Sequence, residues 1–147
     1  IFCITLFGCT RASLERGGWL PPTPQKSKFM EIKAGGFDVK NNKDDVELRY
    51  TVGVKFDRQR PSSEWLIVEF EDPKNKSFVK KSFRLKSNQE SIVFYSDNPV
   101  CGLKDVSSYL VKLTLSSDEK GLNVVDSLNQ YIRLSGMGLV LKIYEHC

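Results

Sequence analysis

Residues 46–56 alternate between apolar and polar side chains without interruption, and this alternation constrains the fold more than any other feature of the chain. Within the stretch VELRYTVGVKF the even positions are all apolar, namely Val46, Leu48, Tyr50, Val52, Val54 and Phe56. The odd positions hold charged, polar or small residues. Because successive side chains of a β-strand point to opposite faces, the pattern predicts an antiparallel strand that is buried on one face only.

Shorter runs with the same period follow from residue 29 onward and predict an all-β chain. The stretch EWLIVEF is apolar on both faces, which is typical of a central strand. The other runs read FMEIKA, GFDVK, SFVKKSFRL, SIVFYS, YLVKLTLS, LNQYIRLS and GLVLKIY. Turn-forming residues such as Asn41, Asn42, Asp72 and Pro73 separate them. Strands at near-regular spacing without a helical stripe indicate a sandwich or a barrel.

The composition is that of one soluble globular domain. The 147 residues are 40% hydrophobic and 27% charged, which argues against global disorder. The net charge of +4 is too small to indicate nucleic acid as a partner, and the aromatic and basic signatures of RNA-binding folds are missing.

Four positions give the chain a resemblance to immunoglobulin-like domains. Trp65 follows Val52 by thirteen residues, and Tyr109 begins a predicted strand with Val111 two residues later. Over about residues 29–134 the pattern is similar to fibronectin type III and bacterial immunoglobulin-like domains. The resemblance implies an all-β fold, an immunoglobulin-like antiparallel β-sandwich of about seven to nine strands. It places Trp65 in the core, and Val52 and Val111 where other members have two disulfide cysteines.

The first eight residues raise the question of whether they belong to the folded domain. They are uncharged and mostly apolar, but a bilayer span takes about 20 such residues. They match the apolar core of a signal peptide, and the missing initiator Met suggests that the chain starts inside the gene product. The alternative is that FCITLF forms an ordinary first β-strand.

The motif Leu6-Phe7-Gly8-Cys9 resembles the bacterial lipobox, in which a small residue precedes a lipidated cysteine. The resemblance implies cleavage after Gly8 and attachment of a diacylglycerol to the thiol of Cys9. Thr10 follows in place of Asp, which by resemblance to enteric lipoproteins favours the outer membrane over the inner one.

The predicted organisation has three parts. Residues 1–8 are a signal-peptide remnant, residues 9–28 hold the lipid-attachment cysteine and a flexible tether rich in glycine and proline, and residues 29–147 form the sandwich. The segment GMGLVLKIYEHC at the end goes beyond the expected fold, either as an extra edge strand or as part of a truncated next element.

The cysteines Cys3, Cys9, Cys101 and Cys147 form no closely spaced pair, so the sequence supports neither a zinc site nor a thioredoxin-like motif. If the first is cleaved away and the second is lipidated, Cys101 and Cys147 are left as a possible disulfide in an oxidising compartment.

The residues that could carry catalysis are few. The single histidine, His146, lies next to the C-terminus, where a base would be poorly held. Carboxylates cluster at Asp44-Asp45, Glu69-Glu71-Asp72 and Asp118-Glu119. Lysines lie among them, so solvated turns are favoured over a Ca²⁺ site. We therefore predict no enzyme activity, no metal and no cofactor. The alternative is a small envelope carbohydrate-active hydrolase or carbohydrate-binding module that uses these loop carboxylates.

The strongest local charge lies between Pro73 and Gln89, where no acidic residue occurs. This basic hairpin carries Lys74, Lys76, Lys80, Lys81, Arg84 and Lys86. It is interpreted either as a surface that docks on an anionic partner such as lipid headgroups, or as the protected edge of a sheet. Because Lys81 shares its parity with the apolar Val79 and Phe83, a β-bulge is predicted near it.

These observations predict a lipid-anchored bacterial cell-envelope protein with a non-catalytic β-sandwich used for binding or structural support. The location is the outer membrane or the periplasm, or, in the alternative without a lipid, the secreted fraction. The expected partners are the membrane, through the anchor, and an anionic envelope surface or a protein.

Overall fold

The alternating stretch forms one long strand whose side chains at positions 48, 50, 52, 54 and 56 are all buried. The computed structural model describes residues 10–16, 21–42, 45–104 and 107–134. In this part of the chain the secondary structure comprises a short helix and seven strands, namely α1 (Arg11–Arg16), β1 (Met30–Asn42), β2 (Asp45–Phe56), β3 (Trp65–Glu71), β4 (Phe78–Arg84), β5 (Ser91–Tyr95), β6 (Ser107–Ser116) and β7 (Val124–Leu134).

The strands form two antiparallel sheets that share one core. One sheet has three strands in the order β1-β2-β5, and the other has four in the order β4-β3-β6-β7. The buried apolar residues of both sheets, among them Val52 and Val111, belong to a single cluster. The prediction of an all-β antiparallel sandwich is therefore confirmed, with seven strands in the described part of the chain.

A row of aromatic rings crosses the core from one sheet to the other. Phe37 contacts Tyr50 at a centroid distance of 4.7 Å, and Tyr50 stacks on Phe70 at 5.3 Å. Phe70 meets Phe94 edge-on at 6.0 Å, and Phe94 meets Phe83 at 5.3 Å. Such pairs contribute beyond the area they bury, so the row ties the two sheets together.

Tyr50 also connects the row to the backbone. Its hydroxyl donates a hydrogen bond of 2.8 Å to the carbonyl oxygen of Glu71. Burial raises the pKa of Tyr50, with the Glu71 carboxylate adding to the effect, so the hydroxyl remains a donor.

The predicted core position of Trp65 is wrong. Trp65 is only half-buried, and the core side chains of β3 are Leu66, Val68 and Phe70. Because alternate residues of a strand face opposite sides, Trp65 falls on the outer face with Ile67. The outer position of Ile67 is nevertheless buried, since the β6–β7 turn lies over it and Gly121 comes within contact of its side chain.

Tyr109 makes the contact that its position predicts. It is buried near the start of β6, and its hydroxyl accepts a hydrogen bond of 2.7 Å from the backbone N–H of Lys104. This is the geometry of a tyrosine corner, in which the ring fixes the chain that enters the strand.

The described part of the predicted tether is attached to the sandwich. Gln25 N–H donates to the side-chain oxygen of Gln130 at 2.8 Å, and Phe29 N–H donates to the Asp126 carboxylate at 2.7 Å. Residues 21–29 thus lie along β7 before β1 begins. Whether the residues nearer Cys9 act as a tether stays a prediction.

Candidate functional site

The basic hairpin is an edge of the four-stranded sheet, because β4 pairs only with β3 among the described strands. The pairing runs in unbroken register from Trp65 opposite Arg84 to Glu71 opposite Phe78. The predicted bulge near Lys81 is therefore wrong. The side chain instead takes a regular inner-face position at the open side of the sandwich, where a charge can be tolerated because the site is not fully enclosed.

Lys81 is held at that position by Asp97, in the segment that follows β5, and by Phe83 of its own strand. Its ammonium group forms a short hydrogen-bonded ion pair with the carboxylate of Asp97 and lies 4.8 Å from the centroid of the Phe83 ring. An inward-pointing charge on an edge strand is one of the devices that prevent edge-to-edge aggregation. The position of Lys81 thus fits the edge-protection interpretation.

The other cations of the hairpin lie on the outer face or in the adjoining turns. Lys80 donates to the carbonyl oxygen of Lys120 at 3.2 Å, and Arg84 lies 4.0 Å from the carboxylate of Glu64. Lys76, in the β3–β4 turn, lies 3.8 Å from Glu71. Exposed contacts of this kind are weak, so Lys76, Lys80 and Arg84 stay available to an anionic surface, and that role remains a prediction.

Beside the hairpin lies a groove of about 390 Å³ between β4 and the segment that follows β5. Its apolar lining includes Phe70 and Val79, and its polar rim includes Lys81 and Asp97. Cys101 also lines it and takes part in a disulfide. Cys147 lies outside the described residues, as do Cys3 and Cys9, so the predicted pairing stays a prediction.

The carboxylates of the groove are occupied by structural partners. Glu71 accepts a hydrogen bond of 2.7 Å from the N–H of Leu110, and Asp72 accepts one of 2.9 Å from the N–H of Lys74. With Asp97 paired to Lys81, the three acids serve different parts of the fold.

The third carboxylate cluster builds the β6–β7 turn. Asp118 accepts hydrogen bonds from the N–H groups of Leu122 at 3.1 Å, Asn123 at 2.7 Å and Lys120 at 3.0 Å. These bonds, those from Leu122 and Asn123 first, lower the pKa of Asp118 to about 2. A carboxyl group that stays ionised in this way is a turn acceptor and a poor general acid.

Several predicted sites fall outside the described residues. They are the lipobox-like motif with Cys9, Asp44, the side chain of Asp45, and His146. Among the residues that are described, no group of three or more His, Cys, Asp or Glu side chains gathers to hold a metal ion. Nor does the described part contain a helix that is long and apolar enough to cross a membrane.

Two surface residues of β5 were not predicted from the sequence, Val93 and Tyr95, which are 62% and 47% exposed. Their strand, SIVFY, is an ordinary apolar run in the sequence, and only its place at a sheet edge makes it unusual. The signal that was available is the absence of any charge in that run.

The fold and its surface define an all-β sandwich domain with one basic and one uncharged sheet edge. Comparisons with models of protein families, with curated proteins and with solved structures found no match to this chain.

Proposed function

We propose that this chain is a lipid-anchored protein of the bacterial cell envelope, at the outer membrane or in the periplasm, whose immunoglobulin-like β-sandwich binds another envelope component without catalysis. The observation that carries the proposal is the motif Leu6-Phe7-Gly8-Cys9, placed directly ahead of a segment that is attached to one end of the sandwich.

Strand order supports the immunoglobulin-like part of the proposal. In such domains the third, sixth and seventh strands are neighbours, the first, second and fifth lie in the other sheet, and an added strand can flank the third. The same neighbours occur here, with β4 beside β3. The hydrogen bond of Tyr109 near the start of β6 supports the same likeness.

Contacts of α1 indicate which end of the domain an acylated Cys9 would hold near the bilayer. The helix begins two residues after Cys9, and the carbonyl oxygen of Glu15 accepts a hydrogen bond of 2.6 Å from the hydroxyl of Ser108 at the start of β6. Arg11 lies 2.7 Å from the Glu15 carboxylate. The hydroxyl of Thr23 also donates to that carboxylate, and this bond is the main cause that lowers the pKa of Glu15.

Part of the basic hairpin lies at that same end. The Glu71 carboxylate accepts a hydrogen bond from Leu110, two residues after Ser108, and also approaches Lys76. The β3–β4 turn with its cations therefore shares an end of the sandwich with the N-terminal segment. Anionic headgroups would attract these cations, each with about 1 kcal/mol near the surface.

The first experiment determines the mature N-terminus by mass spectrometry after expression of the gene product in a bacterial host. We expect a chain that starts at Cys9 and carries acyl mass. The protein should fractionate with the membrane, and the Cys9→Ser variant should not. Cys3→Ser is the matched control and leaves both unchanged, because the proposal puts Cys3 in the cleaved segment. An unmodified chain that still contains Ile1 would contradict the anchor.

The second experiment tests the anionic partner with vesicles that contain negatively charged lipid. Charge reversal at Lys80, Lys81 and Arg84 is expected to weaken binding about 100-fold, since three cations at about 1 kcal/mol each are lost. The binding should also fall with added salt because surface charges are screened.

The control for the vesicle experiment reverses three cations outside the hairpin, Lys28, Lys55 and Arg58. It changes the net charge by the same amount, so a location-specific site predicts a much smaller loss. Equal losses in both variants would leave net charge as the only cause. If vesicle binding were unchanged in the hairpin variant, the role of the basic hairpin would be edge protection.

A further inference from the structure

The strand β5 leaves a row of backbone groups without a strand partner among the described residues. Phe56 N–H donates to the carbonyl oxygen of Glu90 at 2.8 Å, and Ser96 N–H donates to that of Tyr50 at 3.0 Å, so the even-numbered residues bond to β2. In an antiparallel pair the bonding direction alternates. The N–H and C=O groups of the odd residues, Ser91, Val93 and Tyr95, therefore point to the free edge.

The four sheet edges of the sandwich differ in how they are protected. The edges of β1 and β7 approach each other, with Gly35 against Ile132, and residues 21–29 lie along β7. The edge of β4 carries Lys80, Lys81 and Arg84. The edge of β5 has no charge and no proline, and such an edge is a template for another strand.

The side chains at this edge favour an uncharged strand as the occupant. Val93 and Tyr95 point away from the core and are 62% and 47% exposed. Across β2 and β1 their neighbours are small, since Val93 pairs with Gly53 and Gly53 pairs with Ala34. The two large side chains thus stand above a flat surface, where a paired strand can bury them.

We propose that a second copy of this chain is that strand, so that two β5 strands pair antiparallel about a two-fold axis at Val93. In this arrangement Val93 lies opposite the partner's Val93, and Ser91 lies opposite the partner's Tyr95. Self-pairing about this axis places Val93 against its own symmetry mate, and an uncharged strand avoids like charges across the axis. The two three-stranded sheets join into one continuous sheet of six strands.

Among the described residues, no strand competes for the backbone groups that this pairing needs. Val93 exchanges two backbone hydrogen bonds with the partner's Val93. Ser91 exchanges two backbone hydrogen bonds with the partner's Tyr95. The Ser91 carbonyl already accepts a bond of 3.1 Å from the side chain of Gln89. A carbonyl oxygen has two lone pairs, so this bond does not prevent the second one.

Sedimentation equilibrium of the full chain tests the proposal. We expect a concentration-dependent monomer–dimer equilibrium, and a dissociation constant at least about tenfold larger for Val93→Lys, because two lysines then face each other at the axis. Val79→Lys on β4 and Val124→Lys on β7 are matched controls, since these valines are 56% and 57% exposed. Both controls should dimerise like the unsubstituted chain.

A charge-swap mixture tests the two-fold axis itself. Val93→Lys and Val93→Glu should each dimerise weakly alone, and their equimolar mixture should recover the dimer, because opposite charges then meet at the axis. Failure of the mixture to recover, an equal loss in Val79→Lys, or a wild-type chain that stays monomeric at every concentration would overturn the proposal.

Hydrogen exchange keeps the test independent of any variant's folding. In the unsubstituted chain the amide protons of Val93 and Tyr95 should exchange more slowly as the concentration rises. Those of Lys80 and Ser82, which face the free edge of β4, should not change. Exchange at Val93 and Tyr95 that is independent of concentration would overturn the proposal as well.

Discussion

Replacement of Phe70 by alanine is expected to lower the free energy of unfolding by about 4 kcal/mol, within the range of 3–5 kcal/mol for large aromatic truncations in a core. Phe70 is buried at the centre of the aromatic row, with Tyr50 of one strand and Phe94 of another on either side. The loss removes both ring contacts and leaves a cavity between the sheets. Equilibrium unfolding in denaturant measures the change in the free energy of unfolding.

The matched control is Phe78→Ala, which truncates the same side chain one strand away. Phe78 is half-buried on the outer face, and the ammonium group of Lys112 lies 4.0 Å from its ring centroid. Its loss should cost about 1 kcal/mol, as for an exposed cation–π contact. If the two variants were equally destabilised, the aromatic row would not be what joins the sheets.

Loss of the disulfide at Cys101 is expected to cost about 4 kcal/mol if the partner is Cys147. The bond then closes a loop of roughly 45 residues, and the chain-entropy estimate for such a loop gives about 4 kcal/mol. Cys101→Ser, Cys147→Ser and the double variant should all lose the same amount. Unfolding under non-reducing conditions and peptide mapping provide the measurement.

The N-terminal cysteines supply the controls for this prediction. Under the proposed anchor, Cys3→Ser and Cys9→Ser leave the stability of the folded domain unchanged. If Cys9→Ser reproduced the loss and Cys147→Ser did not, the disulfide would join Cys101 to the N-terminal segment. That result would also contradict lipidation at Cys9, because one thiol cannot carry both bonds.

Much of the fold could be predicted from the sequence because one face of each strand is buried. The five buried side chains of β2 were identified by parity alone, and β3 was recognised as central because both of its faces are apolar. The prediction for Trp65 failed because a spacing between two strands does not fix the parity within the second one. One residue of difference moves a side chain to the other face.

The basic hairpin shows the same limit in a charged segment. Parity put Lys81 on the inner face, and a bulge was expected to remove it from there. The strand stays regular because β4 is an edge, where Asp97 from the segment that follows β5 can reach the ammonium group. The sequence contains no sign that these two residues meet, since Lys81 lies on β4 and Asp97 lies in the segment that follows β5.

The carboxylates of the groove are a second case. Glu71 and Asp72 are adjacent in sequence and were considered together as a possible site. In the structure one binds the N–H of Leu110 and the other binds the N–H of Lys74, so each completes a different part of the backbone. Leu110, the partner of Glu71, lies in β6 and is distant in sequence. The composition could therefore suggest exposed turns, but it could not predict this hydrogen bond.

The sequence by itself determined that the chain folds as antiparallel strands, because the period of its apolar side chains matches the alternation of a strand and not the turn of a helix. It also supplied the motif Leu6-Phe7-Gly8-Cys9, on which the proposed lipid anchor rests. The tertiary structure decided which strands became edges, which charges found partners and why Val93 and Tyr95 are exposed. Those properties depend on which strands lie side by side, and pairing across the sheets is a matter of long-range contacts that no local pattern encodes.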